Sequence, residues 1–270
     1  MDEEFSLILH PRQESSMNLS KKRLLNFVST CSLAALTLAS GAAAAAADVA
    51  AALAHPDRPT ADAAADATRK PAQVLAFAGL ETGMDVFEME AAGGYYTEIL
   101  SRSVGPNGSV VLQEAPGLMS FVGDGIDLRT ANNRLANVRV SLSNFDALEA
   151  EDNSIDMVTW IQGPHELGFA PEGINLGDPA GAFREIVRVL KPGGVLLAVD
   201  HIAENGTGLE AGSSTHRVAE SVITQMATQA GLSVLRSSDL LKNSADPLTA
   251  HVYDASIRGK TSQFMVLYRK

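Results

Sequence analysis

Cysteine and tryptophan each occur only once in this 270-residue chain, at Cys31 and Trp160. A lone thiol closes no disulfide within the chain, and it leaves any metal site without the cysteine ligands most structural sites use. Positive charge is also scarce: 21 Lys and Arg stand against 32 Asp and Glu, a formal net charge of −11. A surface of that sign argues against nucleic acid or anionic membrane as a partner and leaves a small molecule as the default. No internal repeat is visible, which argues against a solenoid or propeller. No two histidines stand at His-x-x-x-His spacing, so a metal set of His165, Asp200, His201 and His216 is set aside and no metal is expected.

The N-terminus carries an export pattern. Lys21-Lys22-Arg23 precedes an apolar run from Leu24 to Leu38, and small residues from Ala39 to Ala47 offer Ala-x-Ala cleavage sites before Asp48. This predicts a secretory signal peptide starting near Met17, with the acidic stretch Met1 to Ser16 outside it. A transmembrane anchor fits less well with the alanine and serine content. Thr30 before Cys31 and apolar residues after it disfavour lipidation. The expected product is periplasmic or secreted, without stable membrane insertion, and cytoplasmic if the signal is not processed. Acids and bases before Asp48 cancel, so the whole negative charge stays with a mature domain of about 220 residues, ample for one core. The chain divides into an N-terminal extension and signal peptide over 1–47, an alanine-rich linker or helical arm over 48–70, and one domain over 71–270.

Within that domain, strand and helix patterns alternate. Phe183, Ile186, Val187 and Leu190 follow the spacing of one helix face, Lys191-Pro192-Gly193-Gly194 stops the helix, and the continuous apolar run Val195 to Val199 reads as a strand buried on both faces. Strands are predicted near Asp85–Met89, Ser109–Gln113, Val138–Leu142, Ile155–Ile161, Val195–Val199, Ser233–Arg236 and Ser262–Tyr268. Helices are predicted from Pro71 to Gly79 and near Tyr95–Ser103, Gly125–Asn132, Pro179–Leu190 and Arg217–Ala230. The order implies an α/β fold, a mostly parallel sheet with helices on both faces.

Several segments, taken in order, resemble the class I S-adenosylmethionine-dependent methyltransferases: Glu88, Gly93-Gly94, Glu114, Asp146, Ile155-Asp156-Met157-Val158 and Leu190-Lys191-Pro192-Gly193-Gly194. The nearer likeness is to a group of predicted, often exported, methyltransferases whose first turn reads Gly-Gly-Gly, an aromatic residue, Tyr and Thr. Here that turn is Ala92-Gly93-Gly94-Tyr95-Tyr96-Thr97, one glycine short. Thr215-His216-Arg217, Ala230-Gly231-Leu232 and Arg258 to Phe264 extend the likeness to roughly residues 70–270. The resemblance implies a doubly wound, Rossmann-like sheet of seven strands with an antiparallel last strand beside the fifth. It also implies S-adenosylmethionine as cofactor, held by Glu88, Gly93, Gly94, Glu114 (both ribose hydroxyls) and Asp146 (the adenine amino group). Ala92 and Glu90 depart from the family pattern, so a helix-opening turn without a ligand is the alternative at this place.

Methyl transfer needs the acceptor held in line with the sulfonium and often a base to take its proton. His165 follows the fourth strand and His201 the fifth, so both are expected at the carboxyl edge of the sheet. They are the candidate catalytic residues together with Glu166. Glu166 and Asp200 can hold the imidazoles or act as bases, His216 is placed to swing over the site or cap a helix, and Trp160 reads as core. Two functions remain open: methyl transfer to a small molecule, or a non-catalytic exported small-molecule-binding protein on the same fold.

Overall fold

A computed structural model describes residues 45–270. Up to Ala44, the expected signal peptide and the charged stretch before it lie outside the described residues. The elements are α1 (Val49–Leu53), α2 (Thr60–Arg69), α3 (Pro71–Ala78), β1 (Asp85–Met89), α4 (Tyr95–Val104), β2 (Ser109–Glu114), α5 (Met119–Val122), α6 (Gly125–Thr130), β3 (Val138–Leu142), β4 (Ile155–Ile161), α7 (Pro179–Val189), β5 (Leu190–His201), α8 (Glu210–Thr215), α9 (Glu220–Gln229), β6 (Ser233–Ser238) and β7 (Gln263–Arg269). They form one seven-stranded sheet in the order β3-β2-β1-β4-β5-β7-β6. Strands β1 to β5 pair in parallel, and β7 runs antiparallel between β5 and β6, as the resemblance implied.

Alternation along the strands builds two cores, because successive side chains point to opposite faces. Phe87, Val158 and Leu196 join Phe183 and Ile186 of α7 on one face. Their neighbours Val86, Met157 and Leu197 pack on the other face with Leu75 of α3 and Ile99 and Leu100 of α4. Trp160 is fully buried between Phe145 and Phe183, as its place in β4 suggested.

Two boundaries differ from the sequence expectation by more than two residues. β5 starts at Leu190, which pairs with Ile155 before a register shift brings Val195 opposite Met157. Lys191 fixes this irregular stretch by donating to Asp156 at 2.8 Å and Asp85 at 3.3 Å. The helix expected from Arg217 begins at Glu220 instead. Arg217 is fully buried and makes a bidentate pair with Asp246 at 2.9 and 3.0 Å, while the Val218 N–H donates to the His201 carbonyl, so these residues serve β5 rather than α9.

Residues 48–70 form two helices. Asp48 caps α1 by accepting from the Ala51 N–H, and α1 buries Ala52 in the core it shares with α3 and α4. α2 buries no residue and is held by polar contacts: Asp66 accepts from Arg58 and the Tyr95 hydroxyl, and Asp62 pairs with Arg129 at 2.8 Å. Among the described residues, no helix is long and apolar enough to cross a membrane.

Candidate functional site

The strand order reverses between β1 and β4, and in open α/β sheets a ligand crevice lies at the carboxyl ends of such a pair. The turn from β1 into α4 stands at this point. Gly94 caps α4 at φ +76, a conformation that L side chains rarely adopt, and a Cβ there would meet Arg129. Glu90 and Ala92 hold the same left-handed region at φ +51 and +48 without being glycine. Arg129 closes the turn from α6 by donating to the Gly93 carbonyl at 2.9 Å and pairing with Glu98 at 2.5 Å.

The acids named from sequence are all close to this edge, but not all face it alike. Glu88 is buried beneath the turn and accepts from the Thr97 hydroxyl at 2.5 Å; burial pushes its carboxyl up to about 8. Glu114 ends β2, accepts from the Ala92 N–H at 2.9 Å and the Ala115 N–H at 3.0 Å, and burial outweighs these bonds to raise it to about 7. Glu90 points away from Gly93-Gly94 and across the crevice, where it accepts from Trp160 Nε1 at 3.3 Å; burial and nearby Glu166 raise it well above the usual carboxylate range. Asp146 follows β3 and accepts from the Asp178 N–H at 2.7 Å. The backbone over 169–178 covers it, with the Leu176 carbonyl accepting from the Phe145 N–H and Ile174 and Leu176 against Gly117.

The histidines gather at the ends of β4 and β5. His165 lies in the short turn Pro164–Gly168; its backbone N–H donates to Asp200 Oδ2 at 2.6 Å, and its Nδ1 is 3.0 Å from both oxygens of that carboxylate. An N–H must therefore sit on Nδ1, which aims Nε2 at Glu166 Oε1, 3.2 Å away, and His216 Nδ1, 3.3 Å away. Close approach makes this possible: a Cβ at Gly168 would run into the Leu209 carbonyl and one at Gly212 into the His165 carbonyl, so α8 lies directly on the turn. His216 ends α8 in the left-handed region at φ +51, which turns its ring over His165. Burial pushes the His165 imidazole down, but Asp200 and Glu166 outweigh it and raise it well above its usual value. Burial raises the Glu166 carboxyl, and its contacts with His165 and His216 overcome that to hold it at about 2.

The His201 ring lies 6.1 Å from that of His165, centre to centre. Its Nδ1 lies 2.7 Å from the Thr261 hydroxyl, and burial lowers it to about 4, so it is neutral near pH 7 and a weak base. It lines a cavity of about 480 Å³ with Arg69, Gln162, Tyr253, Arg258 and Lys260. The structure thus joins His165 with Glu166 and His216, while His201, which shares Asp200 with His165, bonds to Thr261 instead of joining them. Asp200 was named from sequence as a holder of imidazole, and it holds His165. The role of Arg129 was not read, because nothing local in Ile126-Asp127-Leu128-Arg129 marks a contact with Gly93.

A family model described as "Methyltransferase domain" matches residues 122–198, from the end of α5 through most of β5. The ubiquinone/menaquinone biosynthesis C-methyltransferase UbiE of Hydrogenovibrio crunogenus is 31% identical over 126 residues, 47% of this chain and 45% of that protein. Over residues 122–198 the chain is therefore similar to methyltransferase domains, and its sheet has the fold of the class I S-adenosylmethionine-dependent methyltransferases. The chain spans less than half the length of the curated relatives it matches. A solved SAM-dependent methyltransferase from Aquifex aeolicus superposes with a TM-score of 0.53 at 21% identity, covering 76% of this chain and 97% of that one. The cyclase SpnF superposes with a TM-score of 0.54 at 18% identity, covering 76% and 80%. The same fold thus serves both a methyltransferase and a cyclase, and the reaction has to be argued from the site.

Proposed function

We propose that this chain is a methyltransferase that uses S-adenosylmethionine and acts on a small molecule bearing an acidic group. The observation that carries the reading is the Glu114 carboxylate hooked onto the Ala92 N–H, which seats an acid at the end of β2 against the turn that opens α4, beside the switch point. A carboxylate oxygen has a second lone pair, so Glu114 keeps capacity for ribose hydroxyls while holding the turn. Glu90 points across the crevice to Trp160, so it places no charge beside Gly93-Gly94, where the ligand's carboxylate would sit. A Cβ at Gly93 would meet nothing within 4 Å, so that side of the turn is open to a ligand. These residues fit the cofactor at its ribose and amino-acid ends. At the adenine end, Asp146 keeps Oδ1 for the amino group once the 169–178 backbone shifts off it. Ala92 adds one methyl where the resemblance has glycine, which weakens binding without filling the turn.

When bound, the cofactor supplies an electrophilic methyl group. The chain's own part is to position the acceptor and manage its proton. The cavity lined by Arg69, Arg258 and Lys260 is a cationic surface on an acidic protein, and its volume is in the range of small-molecule sites. His201 and Gln162 line it too, and Gln162 comes just before the turn that carries His165 and Glu166.

Calorimetric titration with S-adenosylmethionine and S-adenosylhomocysteine tests the reading. Saturable heat is expected, and Asp146→Ala lowers affinity by about 1–3 kcal/mol through the lost hydrogen bond. No heat at high micromolar ligand overturns it and favours the non-catalytic binding protein, a reading supported by the contact between the Asp178 N–H and Asp146.

A further inference from the structure

Behind the cofactor crevice, three potential ligand atoms converge on the turn after β4. His165 Nε2, His216 Nδ1 and Glu166 Oε1 lie 3.2, 3.3 and 3.8 Å apart. With the Nδ1–H of His165 held by Asp200, a metal that displaces the proton from Nε2 meets a lone pair on each of the three. Glu166 Oε2 is buried and has no partner among the described residues, and Glu90 adds another carboxyl close by. Their side chains are only 5%, 11% and 17% exposed for His165, Glu166 and His216, so water does little to relieve the crowding.

We infer that His165, Glu166 and His216 form a binding site for one divalent transition-metal ion of the zinc type. Bonds of about 2.0–2.2 Å to nitrogen and oxygen place tetrahedral ligand atoms roughly 3.3–3.6 Å apart, close to the triangle seen. Two imidazoles and one carboxylate with a fourth position open match the donor set of zinc sites that bind a further ligand. Asp200 supplies the outer partner such sites use: fixed by N–H groups of His165 and His201, it sets the tautomer and direction of the His165 ring. His201 stays outside the set, its Nδ1 committed to Thr261, and so does His251, whose Nδ1 accepts from the Tyr253 N–H.

The test uses full-length, tag-free protein stripped with EDTA, titrated calorimetrically with Zn²⁺ and then assayed for metal after exhaustive dialysis. The expected result is one Zn²⁺ per chain, lost by more than 100-fold in affinity in both His216→Ala and Glu166→Gln, while His55→Ala and His251→Ala bind as the parent does. Asp200→Asn is expected to weaken binding by about 10–100-fold, the usual scale for an outer partner. Circular dichroism confirms that each variant is folded, and His216→Ala, at a partly exposed helix end, keeps the test decisive where Asp200→Asn fails to fold. Less than half an equivalent of bound Zn²⁺ in the parent, or parental affinity in His216→Ala, overturns the inference. Both readouts are independent of S-adenosylmethionine, so failure here leaves the methyltransferase reading standing.

Discussion

Glu98 is the residue whose loss should be felt furthest from its own position. Its side chain is fully buried in α4, yet three guanidinium groups converge on it: Arg102 at 2.8 and 3.1 Å, Arg129 at 2.5 Å, and Arg134 at 2.7 and 2.8 Å. Burial alone would raise the Glu98 carboxyl, but these hydrogen bonds outweigh it and bring it down to about 2. Glu98→Gln keeps the shape and removes the charge that the arginines share. Removing one partner of a buried ion pair costs about 3–5 kcal/mol. Asp62 remains on Arg129, and water reaches Arg134, so the low end, about 3 kcal/mol, is expected here. In a domain of this size that lowers Tm by roughly 6–12 °C. The sign of the pH dependence follows from a folded value below the ordinary 4.5: the contribution is complete above 4.5 and is lost as pH falls toward 2. Thermal melts of parent and variant at pH 7 and pH 3.5 should therefore show a gap that narrows in acid. A Tm unchanged at pH 7, or a gap that widens in acid, would refute the claim that this carboxylate anchors the arginines.

Glu88→Gln should act in the opposite direction. Glu88 is raised to about 8 by burial, so the native state holds its proton above 4.5 and loses relative stability as pH climbs from there toward 8. The amide still accepts from Thr97, and the variant should be more stable at pH 8 by about 1–3 kcal/mol, with little difference at pH 4.5, as read by urea unfolding. Equal stability at both pH values would show that the carboxyl is not held neutral. Asp246→Ala strands the fully buried Arg217 and should cost about 3–5 kcal/mol in the same assay; a loss below 1 kcal/mol would mean that the carbonyls of Ala250 and Ile202 suffice for it. Export is tested by N-terminal sequencing of the fractionated protein: a start near Asp48 in the periplasm or medium is expected, and an intact Met17 or Met1 in the cytoplasm refutes it.

The parts of the fold legible in sequence were those set by local periodicity. Ile155–Ile161 and Val138–Leu142 read as strands because β-branched and apolar residues dominate them, and the structure places both with those bounds. The stop at Lys191-Pro192-Gly193-Gly194 was legible as well, but its conversion into an irregular start of β5 depends on Asp85 and Asp156, 106 and 35 residues away from Lys191. Residues whose partners are remote in sequence were read least well. Arg217 looks like the start of a helix until Asp246 is beside it. The direction of Glu90 was open until Trp160 Nε1 was found facing it, and His216 had no assignable partner until Gly168 and Gly212 brought α8 onto His165.

The antiparallel β7 also bears on how the molecule is made. It is drawn from residues 263–269 yet lies between β5 and β6, so on the ribosome both of those strands wait for a segment synthesised after them. Until then β5 keeps an unpaired edge, and Leu197 and Val199 lack the cover that Met265 and Leu267 give them. The sheet therefore closes only after the segment up to Arg269 has been made.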